Sequence, residues 1–210
     1  MNCPICQSGA VSKYHEDKFR QYFLCSNCTL VFIPRESILA FADEAQRYEA
    51  HQNDDDEPDY ISYLGKIVDS VRPELSKGSR GLDFGCGKTT LLEKLFEAHG
   101  IEMDSYDLYF HPTETVWKKN YNFIILSEVI EHLSDPTGVM RRLKKNLRFR
   151  GKFFIKTKLY PSHPEAFAQW YYKRDMTHVQ FFSGESLYQL AGLLKMKGPK
   201  KLSEDVFEFY

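Results

Sequence analysis

Four of the five cysteines form two C-x2-C pairs near the start of the chain. The pairs are Cys3 with Cys6 and Cys25 with Cys28, and residues 7–24 separate them. Each pair can direct two thiolates at one ion from a single tight turn, and this spacing is typical of a tetrahedral zinc site. Four sulfur ligands leave no position for water, so we expect a structural zinc ion. A redox-active pair of dithiols is the alternative.

The segment that carries these cysteines is too short to build a hydrophobic core of its own. Segments of about forty residues need a metal or a disulfide to fold. The aromatic residues between the two pairs, in YHEDKFRQYF, are enough for a short hairpin. We therefore assign residues 1–36 to a zinc ribbon.

A second motif, GLDFGCGKTT at residues 81–90, raises the question of whether it holds a phosphate. A P-loop reads G-x-x-x-x-G-K-[ST], which would require the first glycine at Leu82, one residue after Gly81. The spacing therefore fails. We interpret the loop from its acidic residue instead, as Asp83-x-Gly85-x-Gly87.

The elements around this loop alternate between strand and helix. Apolar spacing from Tyr60 to Val71 predicts a helix that ends before Pro73. Strands are predicted over 81–84, 101–108, 121–126 and 152–157, and helices over 90–99, 137–147 and 183–195. Such alternation predicts an α/β fold, a doubly wound and mostly parallel sheet covered by helices on both faces. Residues 60–210 would form this domain, and the polar segment 37–59 a linker.

The glycine loop lies where ligands bind such sheets, between the first strand and its helix. Its glycines let the backbone approach a ligand closely. Asp107 follows at the end of the second strand, where an acidic side chain can accept both hydroxyl hydrogens of a ribose.

The overall composition excludes few classes of partner. A net charge of −1 gives no general reason for binding a polyanion, although Arg141, Arg142, Lys144 and Lys145 form a local basic patch. No apolar run is long enough to span a membrane, and the start MNCPICQSGA lacks the regions of a signal peptide. We expect a cytosolic protein, in which the cysteines stay reduced.

Three segments together resemble the class I, nucleotide-fold S-adenosylmethionine-dependent methyltransferases. They are DFGCG at 83–87, Asp107 after the second strand, and YNFIILSEVIEHLSDP at 121–136. The resemblance covers residues 60–210. The ribbon, RYEAHQND at 47–54 and WYYKRDMTHVQFFS at 170–183 extend it to ribbon-bearing methyltransferases over the whole chain.

The resemblance implies a cofactor, S-adenosylmethionine, and a role for particular positions. Asp83, Gly85, Cys86 and Gly87 would line its methionine part, and Asp107 would bind its ribose. Ser127, Glu128 and Val129 would pass beside the cofactor toward the substrate. Two departures stand out: Thr89 replaces the third glycine of the family loop, and only HPTETVWKKN separates the second strand from YNFIIL. The third strand would be shortened or missing, so adenine recognition is not carried over.

Methyl transfer needs alignment and, for a protonated nucleophile, removal of a proton, which suits a histidine. His178 is the first candidate, because Trp170 and its aromatic neighbours could form a lid or a substrate wall; the alternative is an aromatic core beneath the loop. His132 is the second candidate, with a packing role as the alternative. His51 could fold over the cofactor or lie in the linker. We expect Glu131 to be a solvated helix residue, and Cys86 a small loop residue.

These observations favour a methyltransferase that acts on a small molecule. Two alternatives remain open. The ribbon could guide the enzyme to a nucleic acid such as RNA, although its basic and acidic residues nearly balance, or the chain could be a noncatalytic partner that binds the cofactor. The sequence leaves the methyl acceptor and the oligomeric state undefined.

Overall fold

A computed structural model describes residues 1–39 and 57–210 of the chain. His51 and most of the predicted linker therefore lie outside the described residues. The strands are β1 (Val11–Glu16), β2 (Gln21–Cys25), β3 (Val31–Phe32), β4 (Arg80–Phe84), β5 (Glu102–Tyr106), β6 (Tyr121–Ser127), β7 (Leu147–Lys156), β8 (Gln180–Phe181), β9 (Lys200–Lys201) and β10 (Val206–Phe209). The α-helices are α1 (Pro58–Val71), α2 (Leu91–Glu97), α3 (Pro136–Lys144), α4 (Pro164–Gln169) and α5 (Gly184–Leu193).

The larger sheet has six strands in the order β5-β4-β6-β7-β10-β9. The first four strands run parallel, and β10 pairs antiparallel with both β7 and β9. This arrangement confirms the predicted α/β class with a mostly parallel sheet. The antiparallel pair at the end of the chain was not predicted, because its strands are too short to show a clear period. β5 is the edge strand, which agrees with the expected loss of a third strand.

Both faces of this sheet are buried, as the apolar run YNFIIL requires. In β6, Phe123 and Ile125 pack with helices α1 and α2, whereas Ile124 and Leu126 pack on the opposite side of the sheet. The alternation follows from the two-residue period of a strand. Because β4 pairs parallel with both β5 and β6, the carboxyl ends of these three strands lie at the same edge of the sheet.

The smaller sheet joins the ribbon to the larger domain. Its order is β1-β2-β3-β8, and β8 pairs antiparallel with β3 through Val31 opposite Phe181. Residues of the ribbon, among them Cys28 and Leu30, share one apolar cluster with Leu187 of α5. The ribbon is therefore packed onto the domain. Among the described helices, none is both long and apolar enough to cross a membrane.

Candidate active site

The four ribbon cysteines converge as a zinc site requires. The Sγ atoms of Cys3 and Cys28 are 3.5 Å apart, those of Cys6 and Cys25 are 3.5 Å apart, and all four lie within 4.8 Å of one another. Around zinc, Zn–S bonds of about 2.3 Å set tetrahedral sulfur atoms about 3.8 Å apart. The residue after each pair has a left-handed backbone, and its N–H donates back to the first cysteine of the pair. These thiols can therefore hold zinc.

A cavity of about 870 Å³ opens at the carboxyl ends of β4, β5 and β6. It is lined by every cofactor-site and catalytic residue that the sequence predicts. They are Asp83, Gly85, Cys86, Gly87, Asp107, Ser127, Glu128, Val129, His132 and His178.

The glycine loop is held against β5 by its own backbone N–H groups. Gly85 N and Cys86 N donate to the Tyr106 carbonyl at 2.7 and 3.1 Å, and Gly87 N donates to Asp107 Oδ2 at 3.1 Å. These three consecutive backbone N–H groups therefore donate within the protein. In a phosphate-binding loop the backbone N–H groups point at the phosphate instead. The structure agrees with the rejection of the P-loop interpretation.

Gly85 lies too close to Val129 for any side chain at this position. Gly85 has φ of 84°, and a Cβ there would lie 2.5 Å from Val129 Cγ2. Gly87 also has positive φ, at 70°. Thr89 does not adopt positive φ, so the third glycine of the family loop is not needed for backbone geometry here.

Two carboxylates line the cavity beside the glycine loop. Asp107 Oδ1 accepts from Tyr109 N at 2.8 Å and Phe110 N at 3.1 Å, which fixes this side chain at the end of β5. Asp83 is 4% exposed, and its burial, followed by the charges of Asp107 and Glu93, raises its pKa to about 7. A cationic ligand would stabilise the ionised form of Asp83.

Cys86 lies in the same loop and is buried. Burial, followed by the charge of Asp83, raises the pKa of the Cys86 thiol. A thiol with a raised pKa is a weak nucleophile at neutral pH, which fits the expected role as a small loop residue.

A second group of cavity residues, which follows β6, includes a hydrogen-bonded carboxylate. Glu128 follows β6 with φ of 53° and accepts from Lys156 Nζ at 3.0 Å and from the Tyr172 hydroxyl at 2.7 Å. The Tyr63 hydroxyl of α1 is 3.3 Å from the same carboxylate. Lys156 and Tyr63 were not singled out from the sequence, and Tyr172 was considered only as part of the aromatic segment before His178, because the convergence of these residues on Glu128 depends on long-range packing.

The expectation that Glu131 is a solvated helix residue was wrong. Its side chain is 0% exposed, in a short 3-10 helix at Ile130–His132, and the Tyr172 hydroxyl donates to its Oε1. Its Oε2 has no hydrogen-bond partner among the described residues. Burial, followed by the charge of Glu128, raises the pKa of Glu131 well above its usual value. The acidic residue next to His132, directly after a buried strand, was the available signal in the sequence.

The two candidate histidines lie together beside these carboxylates. The ring centroids of His132 and His178 are 4.6 Å apart. His178 Nδ1 is 2.7 Å from the Tyr172 carbonyl, and His132 Nδ1 is 3.2 Å from the Thr177 carbonyl. Burial lowers the pKa of both rings, that of His132 to about 3 with a further contribution from His178. Both imidazoles are therefore neutral at neutral pH.

The ribbon fixes the segment that carries His178. Arg20 of the ribbon is 5% exposed and donates to four backbone carbonyls of this segment. The acceptors are Lys173 at 2.7 Å, Asp175 at 2.8 Å, His178 at 2.9 Å and Met176 at 3.2 Å. Tyr172 packs with ribbon residues in one apolar cluster, which favours the aromatic-core alternative over a lid.

A glycine loop on a mostly parallel sheet, with an acidic residue at the end of the next strand, is a feature of nucleotide-binding folds, to which the class I methyltransferases belong. A model of the methyltransferase-domain family matches residues 51–193. The chain belongs to this methyltransferase family. No curated protein matches the sequence.

Solved structures share the fold at low sequence identity. One is CalO1, a methyltransferase in calicheamicin biosynthesis in its SAH-bound form, with a TM-score of 0.52 and 10% identity over 80% of this chain and 58% of that one. Another is the mitomycin 7-O-methyltransferase MmcR, with a TM-score of 0.53 and 10% identity over 71% of this chain and 52% of that one. The chain thus spans little more than half the length of either protein.

Proposed function

We propose that this protein transfers the methyl group of S-adenosylmethionine to a small molecule. The observation that carries the proposal is that two chemically distinct groups of residues line one cavity. Asp83, Asp107 and the glycine loop follow β4 and β5, whereas Glu128 and His132 follow the adjacent strand β6, and His178 lies beside His132. A volume of about 870 Å³ is in the range of ligand pockets and leaves room for a small acceptor beside a cofactor.

The residues that follow β4 and β5 suit the charge and the ribose of this cofactor. The backbone N–H groups of Gly87, Tyr109 and Phe110 fix the Asp107 carboxylate, whose remaining lone pairs would accept the ribose hydroxyls, and Asp83 favours a cationic neighbour. Phe84 and Tyr106 stack with ring centroids 5.3 Å apart and, with Trp117, give an apolar lining next to Asp107. These aromatic residues are our candidates for contacts with adenine.

The histidines of the second group suit an acceptor that must lose a proton. When bound, the sulfonium supplies an electrophilic methyl group: the acceptor lone pair forms the new bond, and the electrons of the carbon–sulfur bond remain on sulfur. An acceptor that carries a hydrogen must also lose a proton. The neutral imidazole of His178 is the proton acceptor that the sequence predicts, and His132 is its neighbour.

A nucleic-acid acceptor has less support. Two of the four basic residues of the ribbon are engaged within the protein, since Arg20 is buried and Lys13 pairs with Glu16. In the basic patch of α3, the Arg142 guanidinium lies 3.9 Å from the centroid of the Trp117 ring, and Lys144 donates to the backbone carbonyls of the two residues that follow α5. The cytosolic location expected from the sequence stays a prediction.

Calorimetric titration tests the proposal. S-adenosylmethionine and S-adenosylhomocysteine should each bind with one site per chain, whereas ATP should not compete. Methyl uptake should then appear with small phenols, amines or carboxylates, and a filter-binding assay with RNA should be negative. Binding of ATP in preference to both ligands would reject the proposal, and cofactor binding without methyl uptake by any acceptor would favour a noncatalytic partner.

A further inference from the structure

Glu131, His132 and His178 form a cluster whose chemistry differs from that of a proton acceptor alone. One ligand atom from each residue lies within 4.8 Å of those of the other two. A cation about 2.1 Å from two ligand atoms holds them no more than about 4.2 Å apart. Side-chain movements of less than about an ångström would therefore bring all three atoms onto one ion.

The tautomers of both histidines suit metal coordination. A backbone carbonyl only accepts, so Nδ1 of His178 donates to Tyr172 O and Nδ1 of His132 donates to Thr177 O. In this tautomer the lone pair of each ring is on Nε2, the nitrogen that would bind the ion. Histidines that bind metals usually donate their other N–H to a carbonyl or carboxylate in this way, which fixes the ring orientation.

One hydroxyl hydrogen cannot serve both carboxyl groups that contact Tyr172. Glu128 Oε2 and Glu131 Oε1 both contact the hydroxyl of Tyr172, which has one hydrogen to donate. Glu131 Oε2 is buried and has no hydrogen-bond partner among the described residues. A fully buried carboxyl in this position needs either a proton of its own or a cation.

We infer that Glu131, His132 and His178, with Glu128 alongside, bind one divalent cation at the wall of the cavity. Two imidazoles and a carboxylate suit a cation of intermediate hardness such as Mn²⁺, Co²⁺, Fe²⁺ or Zn²⁺. Three protein ligands leave coordination positions open toward the cavity. This site is distinct from the ribbon site, whose four thiolates leave none.

A cation at this site would determine which class of molecule accepts the methyl group. This conclusion rests on the proposed methyl transfer. An acceptor hydroxyl bound to the cation loses its proton to water more readily, because the metal stabilises the oxyanion. The oxygen lone pair then forms the bond to the methyl carbon, and the electrons of the carbon–sulfur bond remain on sulfur. The histidines act as ligands instead of accepting the proton directly. The acceptor is therefore a small molecule with a hydroxyl group.

Titration with Mn²⁺ or Co²⁺ tests the site in the full chain that retains its ribbon zinc. Free Mn²⁺ is followed by electron paramagnetic resonance, and bound Co²⁺ by visible absorption without thiolate charge-transfer bands. The wild type should bind one ion per chain. Glu131→Gln, which keeps the size of the side chain, and His178→Gln should each weaken binding at least tenfold. His99→Gln, an exposed histidine outside the cavity, is the matched control and should bind like the wild type.

Binding of S-adenosylhomocysteine is measured on the same samples and should change less than twofold. The inference is overturned if the wild type binds neither ion stoichiometrically, or if Glu131→Gln binds the ion as tightly as the wild type. If S-adenosylhomocysteine binds but no ion does, the proposed methyl transfer stands and the cation site fails. If the ion binds but S-adenosylhomocysteine does not, the proposed methyl transfer fails instead.

Discussion

The imidazole rings of His132 and His178 meet edge to face with their centroids 4.6 Å apart, although they come from distant segments. His132 follows β6 directly, whereas His178 belongs to the segment fixed by Arg20 of the ribbon. Two buried, neutral imidazoles beside Glu131 can act as ligands of one cation, or one of them can accept a proton alone. The two roles predict different results for the same pair of variants.

His132→Ala and His178→Ala separate these roles. With a shared cation, both should lower turnover by about 10²- to 10⁴-fold and weaken Mn²⁺ binding, while cofactor affinity stays nearly unchanged. Direct proton acceptance by His178, as expected from the sequence, predicts a smaller effect for His132→Ala. The measurement is methyl transfer to a hydroxyl-bearing acceptor found by screening, with the exposed His99→Ala as control. A loss confined to His178→Ala, with unchanged Mn²⁺ binding, would contradict the cation.

Asp107→Ala should weaken binding of S-adenosylhomocysteine by about 1 to 3 kcal/mol, the usual effect of removing a partner from a buried polar group. The variant also frees the N–H of Gly87, which donates to this carboxylate at 3.1 Å. Glu102→Ala on the same strand is the matched control, because its side chain is 79% exposed. Calorimetry distinguishes the two variants, and equal affinities would exclude Asp107 from the cofactor site.

Asp83 should make stability fall as pH rises. Its pKa is about 7 in the fold, because of burial and then the charges of Asp107 and Glu93, against about 3.9 in an unfolded chain. The folded state therefore holds a proton that the unfolded state has released, and stability is lost between about pH 4 and pH 7. At about 1.4 kcal/mol per pKa unit, this loss is of the order of 4 kcal/mol.

Asp83→Asn removes this titration. Urea unfolding at several pH values should show a smaller loss of stability between pH 4 and pH 7 in the variant than in the wild type. A cationic cofactor should reduce the same difference, because it stabilises the ionised carboxylate. Parallel pH profiles for the two proteins would refute the assignment.

Sequence analysis predicts those parts of the site that depend on the spacing of residues close together in the chain. The C-x2-C spacing predicts the thiolate cluster, and the buried run of β6 positions Glu128 and His132 at the edge of the sheet. The burial of Glu131 was missed, because it depends on Tyr172, which packs there only when the ribbon covers it. Strand β8 was missed for a similar reason, since its partner β3 lies in the ribbon. Long-range contacts of this kind leave no period in the sequence.

Arg20→Ala should destabilise the protein by about 1.5 to 3 kcal/mol, because it leaves buried carbonyls without a charged donor. Arg20→Lys should not restore stability, because a lysine ammonium group has three N–H donors and cannot reach all four carbonyls that the planar guanidinium group contacts. Binding of Mn²⁺ should weaken in both variants through misplacement of His178, while affinity for S-adenosylhomocysteine is retained. Lys18→Ala is the control, as this exposed residue lies in the same hairpin. Unchanged Mn²⁺ binding in Arg20→Ala would show that the ribbon does not position His178.

Cys25→Ser should abolish stoichiometric zinc, whereas the wild type should contain one zinc per chain by elemental analysis. The hairpin that carries Arg20 lies between the two C-x2-C pairs, so loss of the ion removes what holds this hairpin in place. We therefore expect a lower unfolding temperature and weaker Mn²⁺ binding in the cavity, although Cys25 itself is no part of that cavity. Cys86→Ser is the matched control for zinc content, because Cys86 lies in the glycine loop and should leave the ribbon ion in place. A Cys25→Ser protein that keeps a full equivalent of zinc would contradict the four-thiolate site.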